Sequence, residues 1–333
     1  MIKPEQKNLY PLLFKPIYKS VIWGGSMLSS YLHRKRLSKH ELPIGEAWEI
    51  ADRGEDVSMV ENGPLAGKNL RVLIEAYGSD LVGQKNINKR FPLLIKIIDA
   101  GQRLSLQVHP DEAVCRKIIG AEPKTEMWYV ITSKKNAKVF VGLNNKATKR
   151  NFMDSYNSPD IEKYLHIYKS VPGDAYFITS GTVHAIGEGN LLLEIQQNSD
   201  TTYRINDWGR VGINGNSREL HIKDAMESIH FTKRVYSKIT GVSGSTMHNR
   251  KYPIINKCPF FKVDDLKLIN RWDDKTTGKF HILTAINNNI RVGKGKKSVE
   301  VKTGRSCLVP AAFGDYSIFV DETKETTVIK TQN

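Results

Sequence analysis

The sequence predicts a mainly β protein, a sandwich or barrel carrying a few helical insertions. Three observations lead there. Apolar residues recur in runs of strand length, rich in branched side chains and closed by turn residues. Helical spacing is confined to four short stretches, too few to alternate with the strands as a doubly wound α/β sheet requires. At 333 residues and 40% hydrophobic content, the chain can fill one large core or two modest ones.

Strands are expected at 93–98, 104–109, 127–131, 137–143 and 191–196, the first closed by Asp99-Ala100-Gly101. Leu70, Leu73, Ile74 and Tyr77 follow i, i+3, i+4, i+7 spacing and predict a helix over 68–77. Asp111 and Glu112 after Pro110 open a second helix with acids in its first turn. Two more helices are expected at 147–156 and 220–229. The glycine-rich stretch at 240–245 then breaks the pattern. Beyond it lie strand-like runs at 261–268, 280–286, 298–302, 317–320 and 326–329. The stretches 287–289 and 293–297 read as turns between them. Two domains follow: 1–235 with the helical insertions, and 236–333 as a small all-β unit of ordinary domain size.

Composition excludes several classes. Three cysteines (Cys115, Cys258, Cys307), far apart and without CxxC spacing, argue against a disulfide framework and a thiolate zinc site. No apolar run reaches the ~18 residues of a membrane span. The opening residues show no apolar stretch after their charges, so a secretory signal is not expected. A reduced, cytoplasmic protein is the expectation. The net charge is +15, and residues 233–305 hold 17 basic against 5 acidic side chains. That segment has no zinc finger, KH loop or RNP-type motif. Its lysines read as a solvated face, and no specific nucleic acid is expected.

The chemistry concentrates in three segments. In Leu104-Ser105-Leu106-Gln107-Val108-His109-Pro110-Asp111, residues two apart share a strand face, so Gln107 and His109 project together. Burying that pair is costly unless something satisfies it. In Gly173-Asp174-Ala175-Tyr176-Phe177-Ile178-Thr179-Ser180-Gly181-Thr182-Val183-His184, the spacing of Gly173, Gly181 and His184 resembles the second motif of the cupin superfamily. Thr179 stands where a proline is usual. In Lys124-Thr125-Glu126-Met127-Trp128-Tyr129, Glu126 opens a strand of large apolar residues, an awkward place for an unpaired carboxylate. Taken singly, each has a bland reading as a hydrogen-bonded core group or a strand-end acid. Together Gln107, His109, Glu126 and His184 make a mixed nitrogen and oxygen set that suits zinc.

Further motifs extend the pattern. They are Pro16-Ile17-Tyr18-Lys19-Ser20-Val21-Ile22-Trp23-Gly24-Gly25, Ile44-Gly45-Glu46-Ala47-Trp48-Glu49, and Leu193-Glu194-Ile195-Gln196-Gln197-Asn198-Ser199-Asp200-Thr201-Thr202-Tyr203-Arg204. With the three segments above, they resemble the type I mannose-6-phosphate isomerases in their shorter bacterial form. The resemblance runs from about residue 11 to residue 208 and continues more weakly beyond. It implies a cupin jelly roll with helical insertions and a further cupin-like β domain. It also implies a zinc enzyme, one ion per chain, interconverting mannose 6-phosphate and fructose 6-phosphate. The implied zinc ligands are Gln107, His109, Glu126 and His184. The implied active-site arginine is Arg204, and the candidates for proton transfer are Lys124, Glu194 and Asp200. Phosphosugars are the expected partners, and the expected assembly is a monomer or homodimer.

Glu194 and Arg204 lie equally far from Ser199, so a simple hairpin would set them opposite one another. Arg204 would then hold substrate oxygens or phosphate while Glu194 shuttles the proton, with Lys124 competing for that role. Trp23 is expected either in the core or lining the sugar pocket. The rival readings are another metal-dependent cupin enzyme, an oxygenase or epimerase, and a non-catalytic sugar-binding cupin. Gln107 beside His109 speaks against the two-histidine, one-carboxylate iron site of an oxygenase.

Overall fold

Apolar runs of strand length become antiparallel ladders here, and the helical patterns stay at one or two turns. The computed structural model describes residues 9–34, 42–87, 89–212, 215–232, 238–241, 248–321 and 323–333; the 240–245 stretch lies mostly outside them. The chain forms two compact units, Met1–Ile17, Trp48–Ile95 and Ser243–Asn333 in one, Tyr18–Ala47 and Lys96–Val242 in the other. A single cut at 235 would not describe these units, because residues 1–17 and 48–95 group with the C-terminal segment. The changes of unit at 47/48 and 95/96 fall inside the strands Ile44–Ile50 and Leu93–Ala100.

The unit of residues 18–47 and 96–242 contains the candidate site. Its five-stranded sheet runs Leu165–Lys169, Lys138–Leu143, His184–Ile186, Leu106–Val108, Tyr203–Asn206. The strands Lys238–Ile239, Ala175–Ile178, Glu126–Ser133 and Asn190–Gln197 follow one another in a second, larger sheet. One apolar cluster joins the inner faces: Trp128, Tyr176 and Leu192 from the larger sheet meet Val139, Val141 and Ile186 from the smaller. Trp23, 5% exposed, packs into this cluster and is a core residue. The outer face of the smaller sheet is covered by Phe152 and Ala225, carried by the helices Lys149–Ser155 and Ile222–Ser228. This is the antiparallel sandwich expected of a cupin, with its helices kept to the outside.

Two of this unit's helices start at side-chain caps. Thr148 and Asn151 form a capping box at Lys149–Ser155. Asp111 accepts the N–H groups of Ala113 and Val114, opening the single turn Glu112–Cys115.

In the other unit, Asn69 caps Leu70–Tyr77, whose buried face is Leu70, Leu73 and Ile74. The rest is a second sandwich. A six-stranded sheet runs Leu12–Leu13, Ser306–Val309, His281–Ala285, Thr326–Gln332, Lys262–Leu268, Arg250–Ile255. A four-stranded sheet runs Trp272–Lys275, Asp315–Phe319, Ile290–Lys294, Lys297–Val301, and a shared apolar cluster fills the interior. The stretch 293–297 is mostly strand: Gly293 pairs with Ser298 and Lys294 with Lys297, leaving Gly295 and Lys296 as a two-residue hairpin turn. Gly295 has φ +57°, which a glycine adopts without steric cost.

Candidate metal centre

The ladders of the two sheets align the site residues in rows. In the smaller sheet Gln107 pairs with His184 on one side and with Arg204 on the other, so all three share a face. In the larger sheet Glu126 pairs with Ile178 and Gln196, and Trp128 with Tyr176 and Glu194. The Trp128 and His184 rings meet edge to face across the interior at 5.4 Å. His109 and His184 stand 4.7 Å apart, centroid to centroid.

Local chain geometry delivers these groups. Gly181, at φ +83°, donates its N–H to the His109 carbonyl at 2.8 Å, tying the two histidine segments together. A Cβ at Gly181 would lie 2.4 Å from the His230 ring, so the turn admits only glycine. Thr179 makes that turn without the usual proline. Its carbonyl accepts the Thr182 N–H at 3.1 Å, and the two threonine hydroxyls bond at 3.2 Å.

The ligand atoms converge. Nε2 of His109 lies 3.3 Å from Oε2 of Glu126, and Nε2 of His184 lies 3.4 Å from Oε1. Ligand atoms of these three residues all fall within 4.8 Å of one another. The side-chain amide of Gln107 sits 3.1 Å from His184 Nε2, and an amide turned by half a rotation presents its oxygen there instead. His109, Glu126 and His184 are essentially inaccessible to solvent.

Protonation follows from the outer bonds. His109 Nδ1 lies 2.9 Å from the Thr201 carbonyl and His184 Nδ1 lies 2.8 Å from the Thr182 carbonyl. A carbonyl only accepts, so each Nδ1 carries the ring proton and each Nε2 turns a lone pair inward. Burial, reinforced by Lys124, pushes the His109 pKa down to about 3, and burial lowers that of His184. Neutral imidazoles cannot donate to Glu126 from Nε2. His109 Nε2 and both Glu126 oxygens make no hydrogen bond, Oε2 facing the Lys124 ammonium at 3.2 Å. Burial resists ionisation of Glu126, but the Lys124 ammonium beside it holds it well below the usual carboxylate range. Two neutral nitrogens, one anionic carboxylate and an amide fit a divalent cation of the zinc class. Carbonyl partners on the far nitrogens are the customary support for metal-binding histidines.

The remaining candidates are distributed around this cluster. Lys124 places its ammonium 3.2 Å from Glu126 Oε2. Glu194 is 4% exposed; it accepts the Trp128 indole N–H at 3.0 Å and faces Lys96 Nζ at 3.4 Å. Burial and the Glu126 charge raise its pKa, opposed by Lys96 and Lys124. Asp200 is exposed. Arg204 donates from Nη1 to the Glu219 carbonyl at 2.7 Å, while its buried Nε makes no hydrogen bond. Burial lowers its pKa.

The expected hairpin between Glu194 and Arg204 does not form. Glu194 pairs with Trp128 in the larger sheet and Arg204 with Gln107 in the smaller one. The intervening residues turn a corner between sheets, stitched to the 122–125 segment. Ser199 Oγ donates to the Glu122 carbonyl at 3.0 Å, the Glu122 N–H donates to Thr201 Oγ1 at 3.0 Å, and the Thr125 N–H donates to Gln197 Oε1 at 2.8 Å. The five residues between the two strands, 198–202, are held in this corner and close no hairpin.

Sequence reasoning also missed Lys96 and Glu46. Lys96 sits in the wholly buried strand Leu93–Ala100, 3.3 Å from Glu46 and 3.4 Å from Glu194. Glu46, then Glu194, keep it protonated against the cost of burial. A lone lysine within Leu93-Leu94-Ile95-Lys96-Ile97-Ile98 was the available signal.

Comparison with known proteins agrees with this geometry. Residues 12–136 match phosphomannose isomerase type I, catalytic domain. The mannose-6-phosphate isomerase ManA of Bacillus subtilis (strain 168) is 35% identical over 309 residues, covering 92% of this chain and 95% of that protein. A mannose-6-phosphate isomerase of Streptococcus mutans is 30% identical over 324 residues, covering 95% and 99%. The crystal structure of a Bacillus subtilis mannose 6-phosphate isomerase superposes with a TM-score of 0.84 at 30% identity, covering 98% of this chain and all of that one. A mannose 6-phosphate isomerase bound with zinc and yttrium shares the fold, at TM-score 0.72 and 16% identity. Identity at this level, sustained over more than nine-tenths of the chain, means that the protein belongs to the type I mannose-6-phosphate isomerases.

Proposed function

We infer that the chain is a zinc-dependent isomerase that interconverts mannose 6-phosphate and fructose 6-phosphate. The observation that carries this reading is the buried convergence of His109, Glu126 and His184, with lone pairs turned inward, in a chain of this family. Gln107, His109, Glu126 and His184 would hold the ion. The reaction moves a proton between C2 and C1 of the open sugar through a cis-enediol, so it needs a proton carrier and positive charge beside developing oxyanions. A bound zinc ion supplies about one net positive charge after its single carboxylate ligand.

The side chains divide the remaining work. Glu194 takes the proton and returns it. Its burial and raised pKa suit a group that alternates between carboxylate and acid, and Trp128 and Lys96 fix its orientation. Lys124 is the competing carrier, because its ammonium adjoins a ligand carboxylate. Arg204, on the ladder beside Gln107, holds a substrate oxyanion or the phosphate with its fork of donors. Asp200 contributes charge at the rim.

The oxygenase reading is not favoured, since an amide ligand beside two histidines and a carboxylate leaves fewer open positions. The test is a coupled assay for fructose 6-phosphate formation on metal-stripped and zinc-reloaded protein. Activity that vanishes with stripping and returns with zinc is the expected outcome. Full activity in chelator, with no divalent metal bound, would remove the zinc reading.

A further inference from the structure

We propose that Gln196 is a positioning residue for the metal centre, acting through the corner that orients His109. The inference rests on the reading of His109 as a zinc ligand. Gln196 is fully buried and pairs in register with Glu126, two residues from Glu194. Its amide does not face either of them as a donor. Nε2 donates instead to the backbone carbonyls of Gln197 at 3.0 Å and Ser199 at 2.6 Å. These two acceptors fix which end of the amide is which, and Oε1 is left buried with no hydrogen bond.

The corner held in this way leads to the metal site in three bonds. The Ser199 N–H donates to the Gln197 carbonyl at 2.7 Å, and the Thr201 N–H donates to Ser199 Oγ at 3.3 Å. The Thr201 carbonyl then accepts from His109 Nδ1 at 2.9 Å. Gln196 thus clamps the carbonyl of the residue whose hydroxyl seats Thr201, and Thr201 sets the tautomer and tilt of the His109 ring. Outer partners of this kind hold the ligand lone pair on the metal. A residue serving only the core would be cheaper as methionine or leucine, since its amide oxygen is an unsatisfied buried acceptor. Keeping an amide at that cost makes sense where the two donated bonds serve a geometry.

The test uses full-length Gln196→Met and Gln196→Glu. Methionine keeps the volume and removes both donors; glutamate keeps the shape and turns an acceptor toward the Ser199 carbonyl. The readouts are zinc dissociation constant by chelator competition, the visible spectrum of the cobalt-substituted protein, and melting temperature of the metal-free protein. Zinc affinity should fall about 10–100-fold in both variants. The cobalt bands should shift, while the metal-free melting temperature of Gln196→Met moves by less than about 4 °C. Zinc affinity within twofold of wild type and unshifted cobalt bands in folded Gln196→Met would overturn the proposal. Failure of both variants to fold would also overturn it, assigning Gln196 to the fold. Wild-type protein that binds no zinc would instead sink the functional reading beneath it.

Discussion

Replacing Glu194 by glutamine tests the proton carrier, and the structure sets what should accompany the loss. In the native protein one Glu194 oxygen accepts from Trp128 Nε1 at 3.0 Å and the other faces Lys96 Nζ at 3.4 Å. Glutamine can keep the first bond with its oxygen. Its amide NH2 must then face an ammonium, a donor against a donor. Lys96 retains Glu46 at 3.3 Å, so its charge is not left alone. The stability loss should therefore be about 1–3 kcal/mol, the cost of one unsatisfied buried contact, rather than the larger cost of an unpaired buried ion. Zinc content should be unchanged, because no ligand contacts the substituted group. Turnover should fall by roughly 10²–10⁴, the usual contribution of a positioned general base. Exchange of the sugar proton into heavy water should slow in parallel, since both need C–H cleavage. Turnover and exchange within a few-fold of wild type, in folded zinc-loaded protein, would refute the assignment. Parallel loss of both in Lys124→Met would then move the shuttle to Lys124.

Three further outcomes follow from other contacts. Arg204→Ala should weaken transition-state stabilisation by roughly 3–4 kcal/mol, seen as a loss of order hundreds-fold in kcat/KM, with zinc content intact because arginine offers a metal no acceptor. In the C-terminal unit, Arg305 donates from Nε to the buried Glu49 at 2.9 Å and from Nη2 to Glu61 at 3.0 Å. Arg305→Met should cost about 3–5 kcal/mol in urea unfolding, much of it recovered by adding Glu49→Leu, as expected when one partner of a buried pair is left behind. Asp99 accepts the Leu28 N–H at 2.8 Å, and its burial raises its pKa to about 6. Its folded pKa lies above the unfolded value, so stability falls as pH rises from about 4 to 6, by up to about 3 kcal/mol. Asp99→Asn should abolish that decline, and parallel stability curves for the two proteins across this range would contradict it.

Much of the site was legible because strand alternation maps directly onto geometry. Gln107 and His109 on one strand, and Glu126 opening another, were out of place in apolar runs, and a buried polar set needs a common partner. What stayed hidden depended on pairing between distant segments. Symmetry about Ser199 suggested a hairpin, but Glu194 and Arg204 each pair with another strand, and hydrogen bonds to Glu122 and Thr125 pull the linker aside. Nothing local in the sequence announces those bonds. The helices near 70–77 and 112–115 were placed within about two residues because apolar spacing and an acidic first turn are local signals. The grouping of residues 48–95 with the C-terminal strands was invisible for the opposite reason, since it rests on contacts far apart in sequence.

The charges of the interior explain why this barrel should hold a dication. Glu126 and Glu194 are buried, and Glu46 has a side chain only 18% exposed. Lys96 and Lys124 answer them at 3.2–3.4 Å. Two ammonium groups against three carboxylates leave one negative charge in a region nearly free of solvent, and such an excess is costly. Protonating a histidine would cancel it, but burial depresses both imidazoles and the Lys124 charge adds to this. Protonating Glu194 would also cancel it, at the expense of the proposed proton carrier. A divalent cation at His109, Glu126 and His184 inverts the balance to a net positive charge and leaves Glu194 ionisable. That sign is the one a phosphosugar dianion and an enediolate both favour. Lys124 thus keeps Glu126 charged, and the negative surplus around it draws the metal.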